Sequence, residues 1–299
     1  MSRTAPAAVD GLRVAVAAEN LIGESPVWSV REQALYWVDV EGRRVQRFAP
    51  ESGSSTDWKM PEVTSSIGLR CDAGLVAATR TGFVFIDTID SEISPITHPE
   101  ADLPGNRFND GKVDRAGRFF AGTKNLANNA QPTGALYRLE ADRRAHAVTH
   151  GISCTNGIAW SPDDRTMYLC DTWVRRIYSF DFDAPSGNVA NRRVFAELSA
   201  EEGYPDGLTV DADGFVWNAH YDGWRITRYA PDGRIDRVLR MPVQHVTSIM
   251  FGGHDLRTLF VTSASIRLPD EARALQPLAG HVLAFEPGVA GLPEPCFAG

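Results

Sequence analysis

The sequence is short of the features that mark membrane, nucleic-acid and disulfide-framed proteins. No apolar run approaches the ~18 residues that a membrane-spanning helix needs. Lys and Arg number 30 against 38 Asp and Glu, a net charge of −8. No basic cluster is present, so the footprint that holds nucleic-acid phosphates is missing. Cysteine is scarce: Cys71, Cys154, Cys170 and Cys296 lie far apart with no CxxC spacing. That pattern predicts neither a disulfide framework nor a thiolate zinc site, and it fits a reducing cytoplasm. The opening MSRTAPAAVDG lacks the apolar core of a secretion signal, so a cytoplasmic protein is expected. None of the 7 histidines stands in an HExxH pattern, and no GxSxG elbow occurs. The common zinc-peptidase and serine-hydrolase devices are therefore absent. Linker-like and low-complexity stretches are missing too, so residues 1–299 read as one domain, with a monomer expected.

Turn residues are plentiful, with 26 Gly and 18 Pro. The stretch 204–234, YPDGLTVDADGFVWNAHYDGWRITRYAPDGR, holds Asp-Gly pairs at 206, 213, 222 and 232. Asp-Gly suits the positive φ of a tight hairpin turn. Three of the pairs separate runs rich in β-branched and aromatic residues, which predicts a four-stranded antiparallel meander. Asp206-Gly207 joins nothing, because it precedes the first of those runs.

Related patterns begin near Glu24, Ser66, Asn109, Asn156 and Thr247: an apolar strand, a turn with Asp, Gly or Ser, then a second apolar strand. Aligned on their first strands, Trp28, Arg70, Val113, Trp160, Val210 and Phe251 fall in register at intervals of 42, 43, 47, 50 and 41 residues. Several strands per repeat at that period predict an all-β fold, a six-bladed β-propeller with four-stranded antiparallel blades. A last strand in GHVLAFEP and an N-terminal strand near 12–18 would complete the sixth blade and close the ring.

Four residues before each register position stand Glu24, Ser66, Asn109, Asn156, Asp206 and Thr247, all polar. Innermost strands of a propeller line its channel, so these side chains should form a ring at one mouth. Any one alone reads as an ordinary turn or loop residue; the shared register gives them weight. Two carboxylates brought close need a compensating cation or a shared proton. An oxygen-only set of this kind suits a hard divalent ion such as calcium, magnesium or manganese. Asp206 is thus read as a metal ligand, with Ser66 and Thr247 as wall residues.

The segments GESPVW (23–28), NRFNDGKVDRAGRFFAGT (106–123), TNGIAWSPD (155–163), YPDGLTVDADGFVW (204–217) and FGGHDLRTLFVTSA (251–264) resemble the gluconolactonase/regucalcin family of sugar lactonases over nearly the whole chain. The resemblance implies one divalent metal ion held by Glu24, Asn156 and Asp206, with calcium, magnesium, manganese, zinc and iron all open. It implies Arg107 and Asn109 as residues binding a small sugar lactone, and Asp206 as the catalytic base that activates water. Where some relatives carry a substrate-binding Glu, this chain reads KNLANNAQPT (124–133) with no acid, so hexonolactone specificity does not transfer. The same segment reads as a lid or a plain loop. Strand tryptophans such as Trp28, Trp37, Trp160 and Trp217 read as packing, and His220 as a loop histidine. Two other functions stay open: hydrolysis of other esters or organophosphates, and a non-catalytic calcium-binding propeller.

Overall fold

A computed structural model describes residues 9–129 and 131–299, and it is a six-bladed propeller of four-stranded antiparallel sheets. Five sheets are meanders of consecutive strands. The sixth joins Val246–Gly252, Thr258–Ser263 and Val282–Phe285 to the N-terminal strand Arg13–Val16 on its outer edge. Pairing of Arg13 with Ala284 and of Val16 with Val282 ties the start of the described chain to the last blade. That is the closure expected for residues 12–18.

The fifth blade is the predicted meander: Tyr204–Val210, Val216–Tyr221, Arg225–Tyr229 and Ile235–Arg240. Its turns differ from two-residue hairpins in which both central residues have positive φ. Gly214 (φ 86°) and Gly233 (φ 87°) are left-handed while their aspartates are not; at the other turn Asp222 (φ 62°) is left-handed and its glycine is not. Longer loops need a left-handed residue only where the chain rejoins the strand. The first of these loops is held by buried Asp211, which accepts hydrogen bonds from the amides of Asp213 and Phe215 (both 3.0 Å) and from Trp217 Nε1 (2.8 Å). Arg228 closes the arrangement with an ion pair to Asp211 at 2.7 Å, its guanidinium 3.7 Å from the Phe215 ring centroid. Asp114 repeats the device in the third blade, with the amides of Ala116 and Arg118 and the Arg118 side chain.

Blades pack through aromatic contacts between neighbours. Trp28 stacks on Phe260 (5.5 Å between centroids), Trp160 meets Phe120 edge-on (5.2 Å), and Trp217 meets Phe251 (5.8 Å). The strand tryptophans are therefore packing residues, Trp37 included, whose indole donates to Asn20.

One expectation from cysteine spacing is overturned. Cys71 and Cys296, 225 residues apart in sequence, form a disulfide. The C-terminal segment runs across the turns at the far ends of the innermost strands: Ala212 donates to Ala290 O, Phe297 to Leu69 O and Ala298 to Gly117 O. That path brings Cys296 to the second blade, a proximity that no local spacing encodes. The support that cysteine usage lent to a reducing compartment goes with it. No helix among the described residues is long and apolar enough to cross a membrane.

Replacing Asp211 by Ala would leave Arg228 with only partly buried or exposed acids and strip the loop of its acceptor. A loss of about 3–5 kcal/mol is expected, as for other broken buried pairs. Urea unfolding measures it; a loss below about 1 kcal/mol would show that the loop holds without its carboxylate.

Candidate metal and substrate site

Each innermost strand enters the channel mouth with an irregularity. Pairing with the second strand shifts between Glu24 and Val27, Thr64 and Ser66, Phe108 and Gly111, Asn156 and Ile158, Pro205 and Leu208, and Val246 and Ser248. A bulge turns a side chain out of the alternation and re-aims it. Six bulges at one level aim six polar positions into one cavity of about 200 Å³. Asp206-Gly207 is thus no turn; it is the bulge within Tyr204–Val210.

The glycines after the polar residues have a packing reason. A Cβ on Gly157 (φ 28°) would lie 2.5 Å from Asp206 O of the next blade, and one on Gly207 would lie 2.0 Å from Ser248 Oγ of the blade after. Inner strands approach so closely here that side chains are excluded, which is why Asn-Gly and Asp-Gly recur.

Glu24, Asn109, Asn156, Asp206 and Thr247 all line the cavity, as the sequence predicts. In the second blade the cavity residue is Ser65 rather than Ser66, whose hydroxyl faces Gly111 instead. Ser65 stands between Thr64 and Ser66 as Thr247 stands between Val246 and Ser248, so the register of the second blade falls on Leu69 rather than Arg70. Thr247 is a wall residue that also closes the ring, its hydroxyl donating to Gly23 O at 2.5 Å.

Glu24 and Asp206 are within hydrogen-bonding reach of one another, and the Asn156 amide also reaches Asp206. Asn156 Nδ2 donates to Thr172 Oγ1 (3.1 Å), and Thr172 in turn donates to Pro205 O (3.0 Å). This chain fixes the amide so that its oxygen is turned away from Thr172. Asn156 Oδ1 and Asp206 Oδ1 are both shut off from solvent, and neither has a hydrogen-bond partner. Asn109 is held by its own amide nitrogen, which donates to Thr155 O at 2.9 Å.

Two neighbouring carboxyls removed from most of their water resist ionisation. Burial pushes Glu24 and Asp206 well above the usual carboxylate range; the charges of Asp206 and Asp110 raise Glu24 further, and that of Asp110 raises Asp206, which Lys124 and hydrogen bonding to Glu24 and Asn156 hold back. Asp110 rises to about 6, again through burial, restrained by the amides of Gly111 and Gly157 and by Lys112. Sequence reasoning took Asn109 from the Asn-Asp-Gly run and passed over Asp110; the two-residue bulge brings both to the cavity.

On the opposite side lie cations. Arg107, only 7% exposed, donates to Phe108 O (2.7 Å) and Asn109 Oδ1 (3.4 Å). Lys124 is its direct cross-strand partner. It belongs to the strand Phe119–Asn125, so the loop expected over 124–133 begins only at Leu126; residue 130 lies outside the described residues. Burial lowers the pKa of both cations, and Arg107 lowers that of Lys124 further. Trp173, Tyr221 and Arg267 complete the wall, none of them marked by the repeat register. His220 is a buried strand residue of the fifth blade rather than a loop histidine. Its Nδ1 lies 2.9 Å from Glu202 O, and burial drives its pKa down to about 3.

The oxygens present fit a hard divalent cation: two carboxylates beside an amide, with two buried oxygens lacking any donor. Among the described residues no three His, Cys, Asp or Glu side chains form a ready cation cage. The set is acidic and amide oxygen together.

Comparison with known proteins agrees with the fold. The family model for the SMP-30/gluconolactonase/LRE-like region matches residues 22–265. The chain is 36% identical to 6-deoxy-6-sulfogluconolactonase of Pseudomonas putida, over 96% of this chain and 99% of that protein. It is 38% identical to L-arabinolactonase of Azospirillum brasilense, over 94% and 93% of the two chains. Among solved structures it superposes on a calcium-binding protein, regucalcin, from Agrobacterium tumefaciens with a TM-score of 0.90, 29% identity and coverage of 96% and 97%.

The raised carboxyls make a pH prediction for metal-free protein. Folded-state values lie above the unfolded ones of about 4, so the fold keeps protons that the unfolded chain has released. That stabilising contribution is complete below pH ~4 and is lost as pH rises through the folded values, about 6 for Asp110. In EDTA, Asp206→Asn should therefore melt roughly 2–6 °C higher than the parent at pH 7.5, with the gap closing toward pH 4.5. Calorimetry across pH checks this, and a gap of constant size would contradict it.

Proposed function

The chain belongs to the SMP-30/gluconolactonase/LRE-like family, and on that premise we propose that it hydrolyses a sugar lactone to the open aldonic acid. The observation that carries this reading is the meeting of Glu24, Asn156 and Asp206, with two unpartnered oxygens, beside the buried cation Arg107 in one polar cavity. Relatives named for a sulfogluconolactone and for arabinolactone support the substrate class. Carboxylates, amides and cations brought together among the apolar groups of the wall favour an ester that also bears hydroxyls.

Glu24, Asn156 and Asp206 would hold one divalent ion, which when bound supplies Lewis-acid polarisation of an ester and a lowered pKa for water. Asp206 carries the proton chemistry. A neighbouring cation restores its ionised form against the burial that otherwise protonates it. Ionised, it takes the proton of the attacking water and returns it to the ring oxygen as the ester bond opens. Asn156 is a rigid ligand because Thr172 occupies its amide nitrogen. Arg107 is placed to donate to sugar hydroxyls or to the oxyanion that develops at the carbonyl carbon. Asn109, pinned to Thr155 O, orients Arg107 through its side-chain oxygen.

Hydrolysis of an aldonolactone panel in a pH-stat tests the reading, with EDTA and add-back of calcium, magnesium, manganese, zinc and iron. Turnover should vanish on chelation and return with at least one ion. Asp206→Ala should lower kcat by at least about 100-fold, the low end of what a positioned base contributes. Turnover that survives both treatments would rule out this mechanism. Arg107→Ala should lower kcat/KM by about 10–100-fold with metal affinity retained, measured by calorimetric titration. Loss of metal binding in that variant would reassign the residue.

A further inference from the structure

We propose that the lactone taken by this site carries a second, negatively charged group, an oxyanion of the carboxylate, sulfonate or phosphate-ester class, received by Arg107 and Lys124. The inference rests on the lactone-hydrolase reading and deepens it.

The starting point is how this protein treats its other buried arginines. Arg118, Arg225 and Arg228 have side chains 8, 8 and 7% exposed, and each is paired with a carboxylate: Asp114, Glu202 and Asp211. Arg107 is equally buried, yet among the described residues its hydrogen bonds go only to neutral oxygens, Phe108 O and Asn109 Oδ1. Lys124 stands directly opposite it on the adjacent strand and, among the described residues, forms no ion pair either. Like charges at directly opposed positions destabilise a sheet, and a cation withdrawn from water without a partner costs more. The fold tolerates the buried Arg107 beside the partly exposed Lys124, both facing the cavity.

The other charges around the cavity act on the pair only at a distance: Asp206 and Glu24 favour the charged form of Lys124, and Glu41 and Glu24 that of Arg107, with no ion pair among the described residues. Glu24 and Asp206 are engaged with one another and with Asn156, and Asp110 with the amides of Gly111 and Gly157. Glu41 at the rim acts on Arg107 without forming an ion pair. Arg267 adds a further cation to the wall. Sugar hydroxyls would satisfy donors on these groups but would leave two like charges facing each other. An oxyanion satisfies both, and the fork of Arg beside the point charge of Lys suits a multi-oxygen anion.

The competing explanation is that the pair serves only the carboxylate that ring opening creates, a group common to every lactone. Matched lactones separate the two ideas: one ring, bearing either a neutral hydroxymethyl terminus or a carboxylate, sulfonate or phosphate terminus. The parent enzyme should favour at least one charged lactone by about tenfold or more in kcat/KM, with the preference shrinking as salt rises. The charged arms identify which oxyanion is meant. Lys124→Met should reduce the charged-to-neutral ratio by about tenfold or more, and Lys124→Arg should retain most of it. Calorimetric titration of the corresponding diacid into EDTA-treated protein should show affinity lost in Lys124→Met, a readout independent of turnover. Equal losses on charged and neutral lactones, or a parent that prefers the neutral one, would overturn the inference and leave lactone hydrolysis standing. Absence of turnover on every lactone would remove both.

Discussion

Ring closure is the constraint on which everything else rests. The N-terminal strand Arg13–Val16 hydrogen-bonds to Val282–Phe285, so the last blade is built from both ends of the chain. A closed ring leaves no blade free to relax outward. Inner strands are held so close that Gly157 and Gly207 have no room for a side chain. Cross-blade links, such as Thr247 to Gly23 O and Ile67 N to Ser25 Oγ, fasten that spacing. Polar groups at the channel mouth consequently cannot move apart, whatever their charges prefer.

That compulsion explains why the site is so unfavourable in isolation. Two carboxyls share one pocket, two buried oxygens lack donors, and two cations stand opposite each other without an ion pair among the described residues. Elsewhere the protein follows the opposite rule: Asp114 and Asp211 are buried with their arginines and with loop amides, fully satisfied. Asn156 Oδ1 and Asp206 Oδ1 stand where a ligand would complete them, and the surrounding blades supply the stability that the cavity lacks.

Much of this was open to a reader of the sequence alone. A polar residue four positions before each register residue found Glu24, Asn109, Asn156, Asp206 and Thr247, because the repeat period carries the equivalence from blade to blade. It missed by one at Ser65, which lies four residues before Leu69 rather than Arg70, and it passed over Asp110, which stands beside Asn109 between the shifted pairs. Where a bulge falls depends on how a strand pairs with its neighbour, which no residue pattern states. Lys124 escaped for a related reason: its meaning comes from the residue opposite, Arg107, and not from its neighbours in sequence.

By itself the sequence determined the architecture: period-2 apolar strands, glycine-rich turns and a repeat of 40 to 50 residues leave a six-bladed ring as the economical way to bury them. It also determined which residue types stand at the channel level. Tertiary structure alone decided the rest: the cation pair, the orphaned oxygens of Asn156 and Asp206, and the Cys71–Cys296 bond across 225 residues. Local pattern records how each strand meets water and core. Distances between side chains on different strands and blades exist only once the ring has closed.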